Sequence, residues 1–194
     1  MRQGMTRVVA TASMLVATLS GCGIGAAQPT DNQPGPTTVS TNQTSTSSTG
    51  QIGQQAPGFT LTRLHGGTVS LQQLMGGKPI LLNAWASWCG PCQEETPDMI
   101  SMYQKYRNQV QFVGVNMTSG DNLADAKSFV KLYNVPYPIV LDMKGVFQSS
   151  YGVLGFPTTV LVSASGKVID RHLGLMTARQ LQIFMNEALH SLKA

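Results

Sequence analysis

Pro79-Ile80-Leu81-Leu82-Asn83-Ala84-Trp85-Ala86-Ser87-Trp88-Cys89-Gly90-Pro91-Cys92 decides how the rest of the chain is read. Its first half is an almost continuous apolar run, the pattern of a strand buried on both faces in the middle of a parallel sheet. Its second half carries two cysteines two residues apart. One helical turn brings their Cα atoms within disulfide reach, about 7 Å. A helix that begins at the pair places the first sulfur among its unpaired N–H groups and at its positive end, where a thiolate is stabilised. Gly90 permits a tight approach. Pro91 costs nothing in a first helical turn, where its missing N–H has no partner to lose. Zinc is the competing use of such a pair, but it needs two further ligands. No second Cys-x-x-Cys or His-x-x-x-His exists in the chain. The pair therefore reads as a redox couple that needs neither metal nor cofactor.

Outward from this stretch, strands and helices alternate. Upstream, Phe59-Thr60-Leu61 and Thr68-Val69-Ser70 flank a turn at His65-Gly66-Gly67, a hairpin pattern. Ser70 is placed to cap a short helix, Leu71 to Met75, which Gly76-Gly77 closes. Downstream, residues 91–107 set Met99, Met102, Tyr103 and Tyr106 at helical spacing, a core stripe with Pro97 as a kink. Strands are expected over 110–116, 137–141, 156–162 and 167–172. Helices are expected over 121–132, 145–151 and 177–192. The sum is an α/β fold around a central sheet of mixed direction.

Composition limits the classes of function. From Gly53 onward there are 11 Lys and Arg against 8 Asp and Glu, a net of +3 spread without a basic run. Nucleic-acid binding has no support in that pattern. At the other end, Arg2 and Arg7 precede an apolar stretch from Val8 to Leu19, too short to span a bilayer but suited to a signal-peptide core. It runs into Leu19-Ser20-Gly21-Cys22, which resembles a bacterial lipobox, with Cys22 as the lipid acceptor. An ordinary secretory signal containing a cysteine is the alternative. Lipidation would resolve the odd count of three cysteines, leaving Cys89 and Cys92 to each other. Residues 22–55 are rich in Ser, Thr, Pro, Gln and Asn and too poor in large aliphatics to bury a core. The expected organisation is a signal peptide over 1–21, a lipidated disordered tether over 22–55 and one folded domain over 56–194.

The motifs carry a family resemblance. Trp85-Ala86-Ser87-Trp88-Cys89-Gly90-Pro91-Cys92, with Pro97 five residues on, resembles the thioredoxins, and Gly155-Phe156-Pro157-Thr158-Thr159 is similar to their cis-proline loop. The extracytoplasmic TlpA/ResA-like branch, with an AhpC/TSA-type domain, is the nearer likeness. Its N-terminal hairpin, its central insertion and its acid three residues after the second cysteine correspond to residues 57–70, 118–140 and Glu95. The resemblance implies a thioredoxin-like sheet flanked by helices with a central αβ insertion. It also implies a cis Pro157 whose loop, with Phe156, faces the cysteines.

In that reading Cys89, exposed at the helix start, attacks a substrate disulfide and Cys92 resolves the mixed disulfide. Trp88, Gly90, Pro91, Phe156 and Pro157 face the substrate. Glu95 lies on the helix face of Cys92. There it is either a buried carboxyl of raised pKa that handles protons or a plain surface acid. Asn83 stands where cytoplasmic thioredoxins hold a buried aspartate, so no base is available from that strand position. Trp85 either shields the sulfurs or packs in the core. The resemblance implies exported proteins as substrates, apocytochrome c among them, and an integral membrane thiol-transfer protein as electron donor. It places a monomer on the outer side of a bacterial membrane, held there by lipid. A disulfide oxidase or isomerase of the same fold is the main alternative. A thiol peroxidase or a non-catalytic binding lipoprotein is more distant. A peroxidase of the peroxiredoxin type would need Thr or Ser three residues before its cysteine, where Ala86 stands.

Overall fold

A computed structural model describes residues 50–192 of the chain. The expected signal peptide, Cys22 and nearly all of the expected tether lie outside them. The described residues form a seven-stranded mixed sheet in the order β2-β1-β5-β4-β3-β6-β7. The strands are β1 (Thr60–Arg63), β2 (Thr68–Ser70), β3 (Ile80–Trp85), β4 (Gln111–Asn116), β5 (Ile139–Leu141), β6 (Thr158–Val162) and β7 (Val168–Leu173). The helices are α1 (Leu71–Met75), α2 (Gly90–Tyr106), α3 (Leu123–Leu132), α4 (Val146–Ser150) and α5 (Ala178–His190). β4 runs parallel to β3 and β5, whereas β6 runs antiparallel to β3 and β7, and β1 antiparallel to β2 and β5. This is the mixed α/β sheet expected of a thioredoxin-like fold.

The apolar run before the cysteines is β3, near the middle of the sheet, and all six of its residues are buried. Its side chains alternate between two cores. Leu81 and Trp85 join Met99, Met102, Phe129, Leu181 and Met185 on the side of α2, α3 and α5. Ile80, Leu82 and Ala84 join Leu74, Phe147 and Tyr151 on the side of α1 and α4. Asn83, between Leu81 and Trp85, is thereby turned toward α2. Trp85 takes its place in the core, with its indole 4.5 Å from the Phe129 ring centroid. Gly114 on the neighbouring strand makes room for it. A Cβ there would lie 2.5 Å from Ile139 Cδ1 and 3.0 Å from the Trp85 ring nitrogen.

The local signals at chain reversals hold. Ser70 and Gln73 form a reciprocal capping box at α1, and Gly76 closes the helix in the left-handed region at φ 55°. Pro97 is accommodated inside α2. At the N-terminal end the fold begins earlier than residue 56. Gly53 N–H donates to Val168 O at 2.8 Å, Val168 N–H to Gln54 O at 2.9 Å and Ala56 N–H to Gly166 O at 2.8 Å. The composition of 50–55 is that of a tether, but its backbone pairs with the start of the edge strand β7. Backbone pairing of this kind needs no apolar side chain to carry it.

Candidate active site

α2 begins at the cysteine pair. Cys89 is its N-cap, in extended conformation, and Cys89 Sγ accepts from Cys92 N–H at 3.2 Å. The two residues are joined by a disulfide across Cα atoms 5.2 Å apart. The expectation of an exposed Cys89 is corrected here. Cys89 is only 4% exposed and Cys92 3%, so neither sulfur stands free at the surface. Bonding to Cys92 and capping the first turn draw the Cys89 sulfur over the helix end instead of outward.

The exposed group is Trp88. It is 62% exposed, donates its indole N–H to Gly120 O at 3.0 Å and meets Phe156 edge-on with centroids 5.7 Å apart. The Phe156–Pro157 peptide bond is cis. Gly90 and Pro91 open α2 beside it, both exposed. The expected substrate-facing residues thus surround one end of α2 and the loop entering β6.

On the inner side sits Glu95, three residues after Cys92 and 2% exposed. It accepts from Met176 N–H at 2.8 Å and from Asn83 Nδ2 at 3.0 Å. Asn83 Nδ2 also donates to Thr159 Oγ1 at 2.9 Å, two residues after Pro157. Burial raises the Glu95 carboxyl to about 7. The donors from Met176 and Asn83 oppose that rise, and Asp98 adds to it. Of the two readings of Glu95, the surface carboxylate is set aside. Glu94, its neighbour, is exposed.

A second carboxylate, missed in sequence, holds the outer loop. Asp121 accepts from Ser87 N–H at 2.7 Å, Ser87 Oγ at 2.5 Å, Asn116 Nδ2 at 2.7 Å and Asn122 N–H at 2.8 Å. Desolvation works to raise it, but these donors prevail and hold it below the usual carboxylate range. Gln93 Nε2 donates to Ser87 O at 2.9 Å, so every polar group of Ser87 is engaged. Asp121 reads in sequence as the first residue of a helix, yet Asn122 is the N-cap and the helix opens at Leu123. The doublet Asp121-Asn122 was a usable signal, since two strong capping residues cannot both cap one helix.

No group of three or more metal-ligating side chains occurs among the described residues. The site is a dithiol couple closed at a helix N-terminus, with a cis-proline loop beside it and a buried acid behind. That is the arrangement of a thioredoxin-fold thiol–disulfide exchange protein. The comparisons with known proteins agree. A model of the AhpC/TSA family matches residues 52–171, and the chain belongs to that family. It is 38% identical over 133 residues to the thioredoxin-like protein YneN of Bacillus subtilis (strain 168), a match covering 68% of this chain and 77% of that one. It is 35% identical over 138 residues to the thiol-disulfide oxidoreductase ResA of Bacillus thuringiensis subsp. konkukian (strain 97-27), covering 71% and 78%.

Among solved structures, StoA of Bacillus subtilis superposes with a TM-score of 0.59 at 30% identity, covering 67% of this chain and 97% of that one. A secreted Mycobacterium tuberculosis disulfide oxidoreductase homologous to E. coli DsbE gives 0.59 at 28% identity, covering 66% and 94%. The chain is a thiol–disulfide oxidoreductase of the ResA and StoA type.

Proposed function

We propose that this oxidoreductase is a membrane-tethered, extracytoplasmic reductase of disulfides in exported proteins, with apocytochrome c cysteines in its substrate class. The observation that carries the reading is the Cys89–Cys92 couple at the N-terminus of α2, between the Trp88–Phe156 rim and the buried Glu95. In the dithiol form, Cys89 thiolate is stabilised by the helix N-terminus and attacks one sulfur of a substrate disulfide. That S–S bond breaks, a mixed disulfide forms, and the first substrate thiolate leaves and takes up a proton. Cys92 thiolate then attacks Cys89 Sγ. The mixed disulfide breaks, the second substrate thiolate leaves, and the enzyme disulfide remains. Two electrons have passed to the substrate.

Glu95, poised near neutral pH on the side of Cys92, takes up the Cys92 proton as that thiol ionises. Asn83 is an amide and serves to orient Glu95 by its hydrogen bond. A membrane thiol-transfer protein with its own dithiol returns the electrons.

The tether rests on the order Arg2, Arg7, apolar 8–19 and Leu19-Ser20-Gly21-Cys22. The secreted M. tuberculosis relative lends support to placement outside the cytoplasm. Among the described residues no helix is long and apolar enough to cross a membrane. Reduction rather than oxidation is favoured by the Gly90-Pro91 dipeptide, shared with strongly reducing thioredoxins near about −270 mV. Equilibrating the protein with defined thiol buffers measures its potential. A value below about −180 mV is expected, and a higher one overturns reduction in favour of oxidation or isomerisation. In the same preparation a Cys92→Ser variant should accumulate the mixed disulfide with its exported substrate, readable by mass.

A further inference from the structure

We propose that the basic groove between β1 and α3 is a docking site for anionic phospholipid, by which the domain lies on the membrane surface that its tether reaches. The choice of a membrane rests on the tethered reading above, whereas the preference of the groove for an anion stands on its own residues. It is a cavity of about 770 Å³, and no residue of the redox loop or of the cis-proline loop lines it.

The fold gathers charge that the chain spreads out. Arg63 and His65 from the first hairpin and Lys127 and Lys131 from α3 meet around this one opening, all four exposed. Lys127 and Lys131 stand one helical turn apart, on one face of α3. Among the described residues no acidic side chain lines the groove. The acids nearby in sequence are committed elsewhere. Asp121 holds Ser87, and Asp125 lines the separate opening beside Trp88. Asp142 is fully buried and accepts from Val146 N–H and Gln148 N–H at the start of α4. Charges of one sign around a concave surface reinforce one another and draw in an anion.

The floor, by contrast, is apolar. Leu64 and Leu141 are buried there, Leu123 and Val130 are half-buried, and Met143 is 55% exposed at the rim. A cationic rim over an apolar floor suits an anionic head on a hydrocarbon stem, since lysine stems cover apolar surface while their ammonium groups stay in water. An extended polypeptide finds less here. Both strands that line the groove, β1 and β5, are interior to the sheet, so no free edge offers its N–H and C=O groups to an added strand. Anionic phospholipid is the amphiphile that a tethered domain meets at high effective concentration, and a few basic residues then suffice to seat it. A domain seated this way leaves Trp88, Phe156 and the cysteines off the lipid contact.

The test labels lysines in the full-length protein by reductive methylation and reads each position by mass. Vesicles of phosphatidylcholine alone, or of equal parts phosphatidylcholine and phosphatidylglycerol, are added at low salt. The phosphatidylglycerol vesicles are expected to slow labelling of Lys127 and Lys131 about threefold, and the neutral vesicles to leave it unchanged. Lys105 and Lys167, also exposed, should label at one rate throughout. High salt should abolish the protection. Arg63→Glu and, separately, Met143→Glu change exposed side chains and should return Lys127 and Lys131 to the unprotected rate. Equal labelling with the two kinds of vesicle, or protection that either variant keeps, overturns the docking site. Protection by soluble poly-glutamate as strong as by phosphatidylglycerol vesicles overturns the lipid in favour of an acidic polypeptide. Protection that grows with protein concentration in the absence of vesicles makes the groove a contact between copies and overturns it as well. The mass of the chain purified from bacterial membranes shows separately whether Cys22 carries lipid, so a failed tether and a failed groove are told apart.

Discussion

Two carboxylates flank the redox pair in opposite surroundings. Asp121 on the outer loop collects four donor hydrogens, two from Ser87 and one each from Asn116 and Asn122. Glu95 on the inner side collects two, from Met176 and Asn83, in a more enclosed place. Both lose solvation, but only Asp121 is repaid, and its acidity rises while that of Glu95 falls. Burial alone therefore does not set the charge of an acid. The count of donors facing it decides whether it serves as a fixed anion that holds a loop or as a group that can exchange a proton at neutral pH.

The largest effect that would break this contrast is at Glu95. Its folded pKa of about 7 stands above its ordinary 4.5. Between these values the native oxidised protein keeps a proton that the unfolded chain has lost, so stability falls as pH rises through that window. The loss is about 3 kcal/mol and is complete above the folded value. Urea midpoints of the oxidised wild type should drop from pH 5 to pH 8, and Glu95→Gln should remove the Glu95 share of that drop, leaving the part due to Glu187, whose carboxyl burial and Asp170 also raise to about 7. A wild-type profile that is flat, or that rises with pH, would show that Glu95 is already ionised in the fold.

Asp121→Ala is next. It leaves Ser87 N–H, Ser87 Oγ and Asn116 Nδ2 without their acceptor in a partly buried place. The expected cost is about 2 kcal/mol in urea unfolding at neutral pH. Asp121→Asn should cost less than alanine, since one acceptor oxygen survives. Equal stability of all three forms would mean that the four contacts hold nothing.

The smallest effect sharpens the contrast from the surface side. Trp88→Ala removes an indole that is mostly in solvent, with one hydrogen bond and one edge contact. Its expected cost in the same unfolding assay is below about 1 kcal/mol. A loss as large as that of Asp121→Ala would show that Trp88 is a structural residue.

The fold was largely legible because its signals are short-range. β3 declares itself by an unbroken apolar run, α1 by Ser70 with Gly76, and α2 by a proline-bearing first turn at the cysteines. The redox pair needed only its spacing, and the cis Pro157 came from its likeness to a known loop. What escaped depends on pairings across long stretches of chain. Asp121 meets Ser87 from 34 positions away, and Glu95 meets Met176 from 81. The burial of Cys89 was not legible either, since the spacing of the pair permits a disulfide but does not orient it. Backbone pairing of 53–56 with 166–168 has no side-chain pattern to announce it.

That last pairing has a mechanical meaning. Residues 53–56 pair at one margin of the sheet, so a pull applied to them from the N-terminal side is passed to β7. The three short hydrogen bonds between 53–56 and 166–168 carry that pull to the start of the edge strand, after the buried Gly50 that lies against Tyr151. The redox loop lies across β6 and β3 from that margin. Two strand pairings, β7 with β6 and β6 with β3, separate that corner from the strand that leads into the cysteines.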